Sequence, residues 1–179
     1  MQLSVVIPTY NRSDILAECL EALGKQNFVH EEFEIVVVED GSTDDTRNIL
    51  SSFQKKSLFP LRFFYQKNSG QGVARNRGVQ EASGKIIVFI GDDILIHPDF
   101  LHQHIEYHRR YFHEHEGVLG LTLWDPRIPK TPFTEFMTNG SLLFGRFGGH
   151  QFAYEKLSGK IEADYRFFYT SNISLKRSL

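Results

Sequence analysis

Asp92 and Asp93 stand side by side directly after the apolar run 86–90, Ile-Ile-Val-Phe-Ile. Two adjacent carboxylates repel each other and gain from a shared cation. A hard divalent ion takes oxygen ligands and commonly completes its shell with substrate phosphates. Residues of matching chemistry lie earlier in the chain. Pro8-Thr9-Tyr10-Asn11-Arg12 offers a ring that could stack on a base. Asp40, in Glu39-Asp40-Gly41-Ser42, could accept a hydrogen bond from a base N–H. Lys67-Asn68-Ser69-Gly70-Gln71-Gly72 brings two glycines that let backbone approach an anion at a helix N-terminus. Arg75, one turn into that helix, could pair with a phosphate or orient Asp92. Each piece alone has a plainer reading: Tyr10 as a packing ring, Asp40-Gly41-Ser42-Thr43 as a turn with a helix cap. The conjunction, in this order and spacing, carries the weight.

Something must bring these segments together. Residues 3–7 form an apolar run stopped by Pro8, and 33–38, 61–66 and 86–90 are further strand-like runs. Between them, 14–26 carries Ile15, Leu16, Cys19, Leu20 and Leu23 at helical spacing, with Ser13 or Asp14 as a cap. Thr43 or Asp44 can cap a second helix running to about Lys55. Residues 70–82 read as a third, closed by Ser83-Gly84. Strict alternation of strand and helix predicts βαβ units and a parallel sheet. The run 86–90 has no polar face, as expected of a strand covered on both sides. Ligands of open α/β sheets bind beyond the carboxyl ends of the strands, where all four motifs fall. After Asp93 the pattern changes: a helix from Pro98 to about His113, a strand over 118–123, loop with a short helix over 125–160, and strand-like character over 165–175.

The chain has 179 residues, 41% hydrophobic and 23% charged, which suits one domain with a real core. A formal charge of −2 argues against a nucleic-acid partner. Sixteen Phe and seven Tyr supply rings for a core or a stacking site. The single cysteine, Cys19, has no internal partner, so a reducing, cytoplasmic setting is expected. It falls in a helical pattern and reads as a small buried hydrophobe. No apolar run approaches the roughly 18 residues that span a bilayer. The start, running straight into a strand, does not read as a signal peptide.

Six histidines crowd the region 97–115: His97, His102, His104, His108, His113 and His115. His104 and His108, at i and i+4, could share a metal. They lack the glutamate of a metalloprotease pattern, and His108 joins Leu101, Ile105 and Phe112 in an apolar stripe, so packing is the expected role. Trp124-Asp125 could face a sugar, with burial an equal alternative. The stretch 133–152 is expected to be an acceptor loop, a peripheral membrane contact or a packed loop.

The motifs in sequence resemble family 2 glycosyltransferases of the GT-A fold. The resemblance rests on Val5-Val6-Ile7-Pro8-Thr9-Tyr10-Asn11-Arg12, Val38-Glu39-Asp40-Gly41-Ser42-Thr43-Asp44, Asn68-Ser69-Gly70 with Ala74-Arg75-Asn76, and Phe89-Ile90-Gly91-Asp92-Asp93. The late Thr170–Arg177 segment is similar to that family's final sheet strand. The resemblance implies a single GT-A domain over 1–179, with a nucleotide-binding half in 1–95 and an acceptor-side half in 96–179. It implies sugar transfer from a nucleotide diphosphate donor, usually UDP-linked, to a saccharide or lipid-linked acceptor, and a cytoplasmic place that includes the inner face of the membrane is expected. Pro8 and Tyr10 would wall the base, Asp40 contact it, Arg75 support the diphosphate, Asp92 bond the ribose and Asp93 bind Mn²⁺ or Mg²⁺. Thr9, Arg12, Asn68 and Gly70 belong to the same donor site.

Two departures stand out. Gly91 takes a place that is often acidic in the family, while Asp92 and Asp93 keep the two functional ones. The family's general base follows the Asn172-Ile173-Ser174-Leu175 segment and is expected beyond Leu179, in a longer enzyme. Glu162 and Asp164 are the weaker candidates within the sequence. A dinucleotide fingerprint is excluded, because Gly70-Gln71-Gly72 lacks the third glycine and follows the wrong strand. A nucleotidyltransferase would place a Gly-rich basic loop after the first strand. A receiver domain would need an aspartate where Asn68 stands. A sugar-nucleotide-binding module without transfer activity is the remaining alternative.

Overall fold

The structure is a computed structural model that describes residues 1–29, 32–139 and 168–179. Six strands form one sheet: β1 (Leu3–Thr9), β2 (Phe33–Glu39), β3 (Leu61–Tyr65), β4 (Ile86–Ile90), β5 (Gly117–Leu119) and β6 (Asn172–Lys176). Five helices accompany them: α1 (Ser13–Leu23), α2 (Thr46–Lys56), α3 (Gln71–Glu81), α4 (Phe100–Arg110) and α5 (Pro132–Asn139). The order across the sheet is β3-β2-β1-β4-β6-β5. The first four strands are parallel, and β6 runs antiparallel between β4 and β5. Strands β1 to β4 are the parallel sheet that the alternation predicts, and the antiparallel β6 makes the whole a mixed, mainly parallel α/β sheet.

The described residues divide into two compact units, one of Met1–Leu119 with Tyr169–Leu179, the other of Gly120–Phe168. In the first unit the central strands bury side chains on both faces. Val5, Ile7, Ile35, Val37, Val88 and Ile90 join Leu16, Leu20, Leu50, Leu101 and Ile105 in one core. Val6, Val36, Ile87 and Phe89 meet Ala82 and Ile173 in the other. A strand with no solvated face must read as an unbroken apolar run, which is why the sequence shows no alternation.

Several boundaries differ from the sequence reading. β1 continues through Pro8 to Thr9, because the β4 ladder ends at Val6↔Phe89 and leaves Pro8 paired only with β2. Proline is tolerated where a ladder bond is not required. α1 has no side-chain cap from Ser13 or Asp14; Asp44 accepts the Ser13 N–H at 3.0 Å instead. Asp44 also accepts the Thr46 N–H at 3.1 Å, so one carboxylate serves two helix starts. α4 ends at Arg110, before Phe112, which is therefore exposed and not part of the apolar stripe. β5 is only three residues long. No described helix is long and apolar enough to cross a membrane.

In the second unit, Trp124 Nε1 donates to Thr138 Oγ1 of α5 at 2.8 Å. Most of the stretch 133–152, together with Glu162 and Asp164, lies outside the described residues.

Candidate active site

The chain runs from β1 to β2 to β3 in one direction, then crosses to β4 on the other side of β1. The crevice at such a reversal, outside the carboxyl ends of the strands, is where open α/β sheets hold ligands. β1 ends there on Thr9, and β4 ends on Ile90 and runs into Gly91-Asp92-Asp93. Thr9 Oγ1 donates to Asp92 Oδ2 at 2.8 Å. Arg12 Nη1 lies 3.2 Å from Asp92 Oδ1 and 3.1 Å from Asp93 Oδ2. One guanidinium nitrogen thus bridges both carboxylates.

The two aspartates differ sharply in setting. Asp92 is 6% exposed, whereas the Asp93 side chain is 53% exposed. Burial raises the Asp92 pKa and outweighs the opposing Thr9 bond and Arg12 charge. Arg12 is held more firmly protonated, chiefly by Asp92. A Cβ at Gly91 would sit 2.5 Å from Asp93 Oδ1, the end of an exposed side chain that can turn away.

Asp40 is buried at the end of β2. Its Oδ1 accepts from Gln66 Nε2 at 2.7 Å and the Ser69 N–H at 2.9 Å, and its Oδ2 accepts the Gly70 N–H at 2.8 Å. It therefore fixes the loop that leads into α3. Gly41, at φ +84°, turns the chain beneath that loop; a Cβ would sit 2.8 Å from the Asn68 nitrogen. Left-handed backbone and close approach together require glycine there. Asn68, Gly70 and Gly72 are exposed, leaving the first turn of α3 uncovered.

Arg75, one turn into α3, donates through Nη1 to Gln71 Oε1 at 3.1 Å, while its Nε is buried without a partner. Burial lowers its pKa and the Asp92 charge opposes that shift. A half-buried guanidinium with an unsatisfied donor is suited to an anion.

Tyr10 is 46% exposed and Pro8 is buried in β1. Asn11, at φ +51°, clips the neighbouring loop: its Oδ1 accepts the Thr43 N–H at 2.7 Å and its N–H donates to Ser42 Oγ at 3.0 Å. The sequence assigns no separate role to Asn11, which it shows only within a motif, or to Gln66. The cue for Asn11 is an asparagine just after a strand, where left-handed backbone is tolerated.

Cys19 lies beneath the acidic pair, its Sγ 3.8 Å from the Gly91 carbonyl. Burial, with Asp92 and Asp93 adding, pushes its thiol up to about 12, which fits packing and not nucleophilic chemistry. His104 and His108 are likewise buried and structural. His104 meets Ser174 Oγ at 2.7 Å and Asn172 Oδ1 at 3.1 Å, and His108 Nε2 meets the same Ser174 Oγ at 2.8 Å. They tie α4 to β6.

The acidic pair fits a divalent metal. Two carboxylate oxygens already converge on one cationic nitrogen, and both are hard donors. Among the described residues no group of three His, Cys, Asp or Glu side chains is placed to hold an ion. A metal here would draw its remaining ligands from a bound phosphate and water, as Mg²⁺ sites commonly do.

Residues 4–121 match the profile of glycosyl transferase family 2. The chain belongs to that family. An uncharacterized glycosyltransferase of Rickettsia bellii is 31% identical over 140 residues, 78% of this chain and 19% of that protein. The chain thus spans about a fifth of that relative's length. Among solved structures, Staphylococcus aureus TarS 1-349 in complex with UDP-GlcNAc superposes with a TM-score of 0.64 at 31% identity, over 73% of this chain and 37% of that one. The mannosyltransferase PcManGT of Pyrobaculum calidifontis, in complex with GDP-Man and Mn²⁺, gives 0.58 at 25% identity, over 60% and 32%. The fold of this family 2 chain is the GT-A fold.

Proposed function

We propose that this chain carries the donor site of an inverting, metal-assisted glycosyltransferase that takes a UDP-linked sugar. The observation that carries the reading is the convergence of Asp92 and Asp93 on one cationic nitrogen, at the mouth of the β1/β4 crevice and in the field of Arg75. Thr9 and Arg12 orient Asp92 for a ribose hydroxyl, and Asp93 takes the metal. Tyr10 and Pro8 flank the base. Asp40 holds the α3 loop and, through the remaining lone pair of Oδ2, accepts the base N–H. Arg75 and the open N-terminal turn of α3 receive the diphosphate. Residues after 95 form the acceptor side.

The chemistry is a displacement at the anomeric carbon. The acceptor oxygen forms the new bond, the bond to the diphosphate oxygen breaks with its electron pair, and the acceptor proton passes to a base. The metal, when bound, neutralises charge on the departing diphosphate. The chain's own contribution at this site is to hold the leaving group and shield it from free rotation. The acceptor is assigned to a saccharide.

A nucleotide panel tests the donor assignment. Thermal shift with Mn²⁺ should rank UDP above GDP and CDP. A preference for GDP, or equal stabilisation by all three, would overturn the UDP reading.

A further inference from the structure

Arg12 occupies an unusual place, and this inference rests on the metal role of Asp93 given above. Its Nη1 lies within 3.2 Å of one oxygen of each aspartate, so it sits where a cation shared by the pair must sit. We propose that Arg12 is the resident counter-cation of the acidic pair and is exchanged at Asp93 for the metal as the donor binds.

Three features make the exchange workable. Asp92 is held from the opposite side by Thr9 Oγ1 and stays in place whether or not Arg12 contacts it. The backbone that carries Arg12 is fixed by its neighbours, through Asn11 on Thr43 and Ser42 and through Ser13 on Asp44. The guanidinium end is free to swing, because the Arg12 side chain is about half exposed and so is its Asp93 partner. Only the outer contact must break.

The consequence is an order of assembly. Without nucleotide, a divalent ion competes with a tethered guanidinium for Asp93 and must approach its positive charge. With nucleotide, the diphosphate adds negative charge that the guanidinium can follow and that contributes metal ligands. Arg12 is thus a positioning residue that suppresses metal binding to the empty site and couples it to the donor.

Mn²⁺ affinity, measured by calorimetry on the nucleotide-free protein, tests this. Arg12→Gln should bind Mn²⁺ about fivefold tighter than wild type, as expected for loss of two partly exposed ion pairs. Arg12→Lys should fall between, keeping the charge without the fork. The factor by which UDP tightens Mn²⁺ binding should shrink in Arg12→Gln. A residue that merely shapes the loop would weaken metal binding or leave it unchanged, and either result overturns the proposal. If the variants do not fold, the wild-type protein still decides: titration with Mg²⁺ and UDP should shift the Arg12 guanidinium NMR resonance, and a resonance that stays put overturns the exchange. Wild-type protein that binds no metal with UDP would instead refute the donor-site reading.

Discussion

Thr9 and Asp92, 83 residues apart in the chain, are joined at 2.8 Å across the ends of β1 and β4. The bond ties the two strands that flank the crevice, and it fixes which way a buried carboxylate points. Thr9→Val keeps the shape and removes the donor. Loss of a bond to a buried charged group should lower stability by about 1–3 kcal/mol in urea unfolding. UDP affinity should fall with it. A variant as stable as wild type would show that Asp92 finds another donor.

Asp40 accepts three hydrogen bonds, two of them from backbone N–H groups of the loop ahead of α3. Asp40→Asn turns one acceptor into a donor and sets it against a loop donor. UDP affinity should drop about tenfold, as expected for losing one well-made charged bond. Hydrogen exchange at Ser69 and Gly70 should quicken at the same time. Unchanged exchange would mean that Asp40 acts on the ligand alone.

The buried His104–Ser174–His108 cluster makes stability depend on pH. Burial pushes His104 down to about 4 and lowers His108 as well. The unfolded chain protonates both near 6.5. Between these values the unfolded state binds more protons, so stability falls as pH drops from about 6.5 toward 4 and the His104 part levels off below that. The His104 share is roughly 3 kcal/mol. Urea unfolding at pH 7 and pH 5 reads the effect, and His104→Gln should flatten it. Equal stability of the wild-type protein at both pH values would contradict the assignment.

The parallel core was legible because strands buried on both faces leave unbroken apolar runs, and Asp92 with Asp93 stood out as a like-charged pair. The ends of elements were harder. Pro8 looks like a stop, yet it fits inside β1 because β4 no longer pairs beside it. The caps of α1 were assigned to Ser13 or Asp14, but Asp44 from the next loop supplies the bond. Contacts such as Arg12 with Asp93 or Gln66 with Asp40 join distant residues, and nothing in local spacing reveals them. His108 illustrates the opposite case: its place in a helical stripe was enough to favour packing over metal binding.

The central claim is that Asp93 binds a metal together with the donor diphosphate. Calorimetry of UDP binding, with and without Mn²⁺, in wild type and Asp93→Ala tests it most directly. Wild type should bind UDP at least about tenfold tighter with Mn²⁺, and Asp93→Ala should lose that gain while keeping its fold. Metal-independent UDP binding in wild type, or an unchanged Mn²⁺ effect in Asp93→Ala, would contradict the claim.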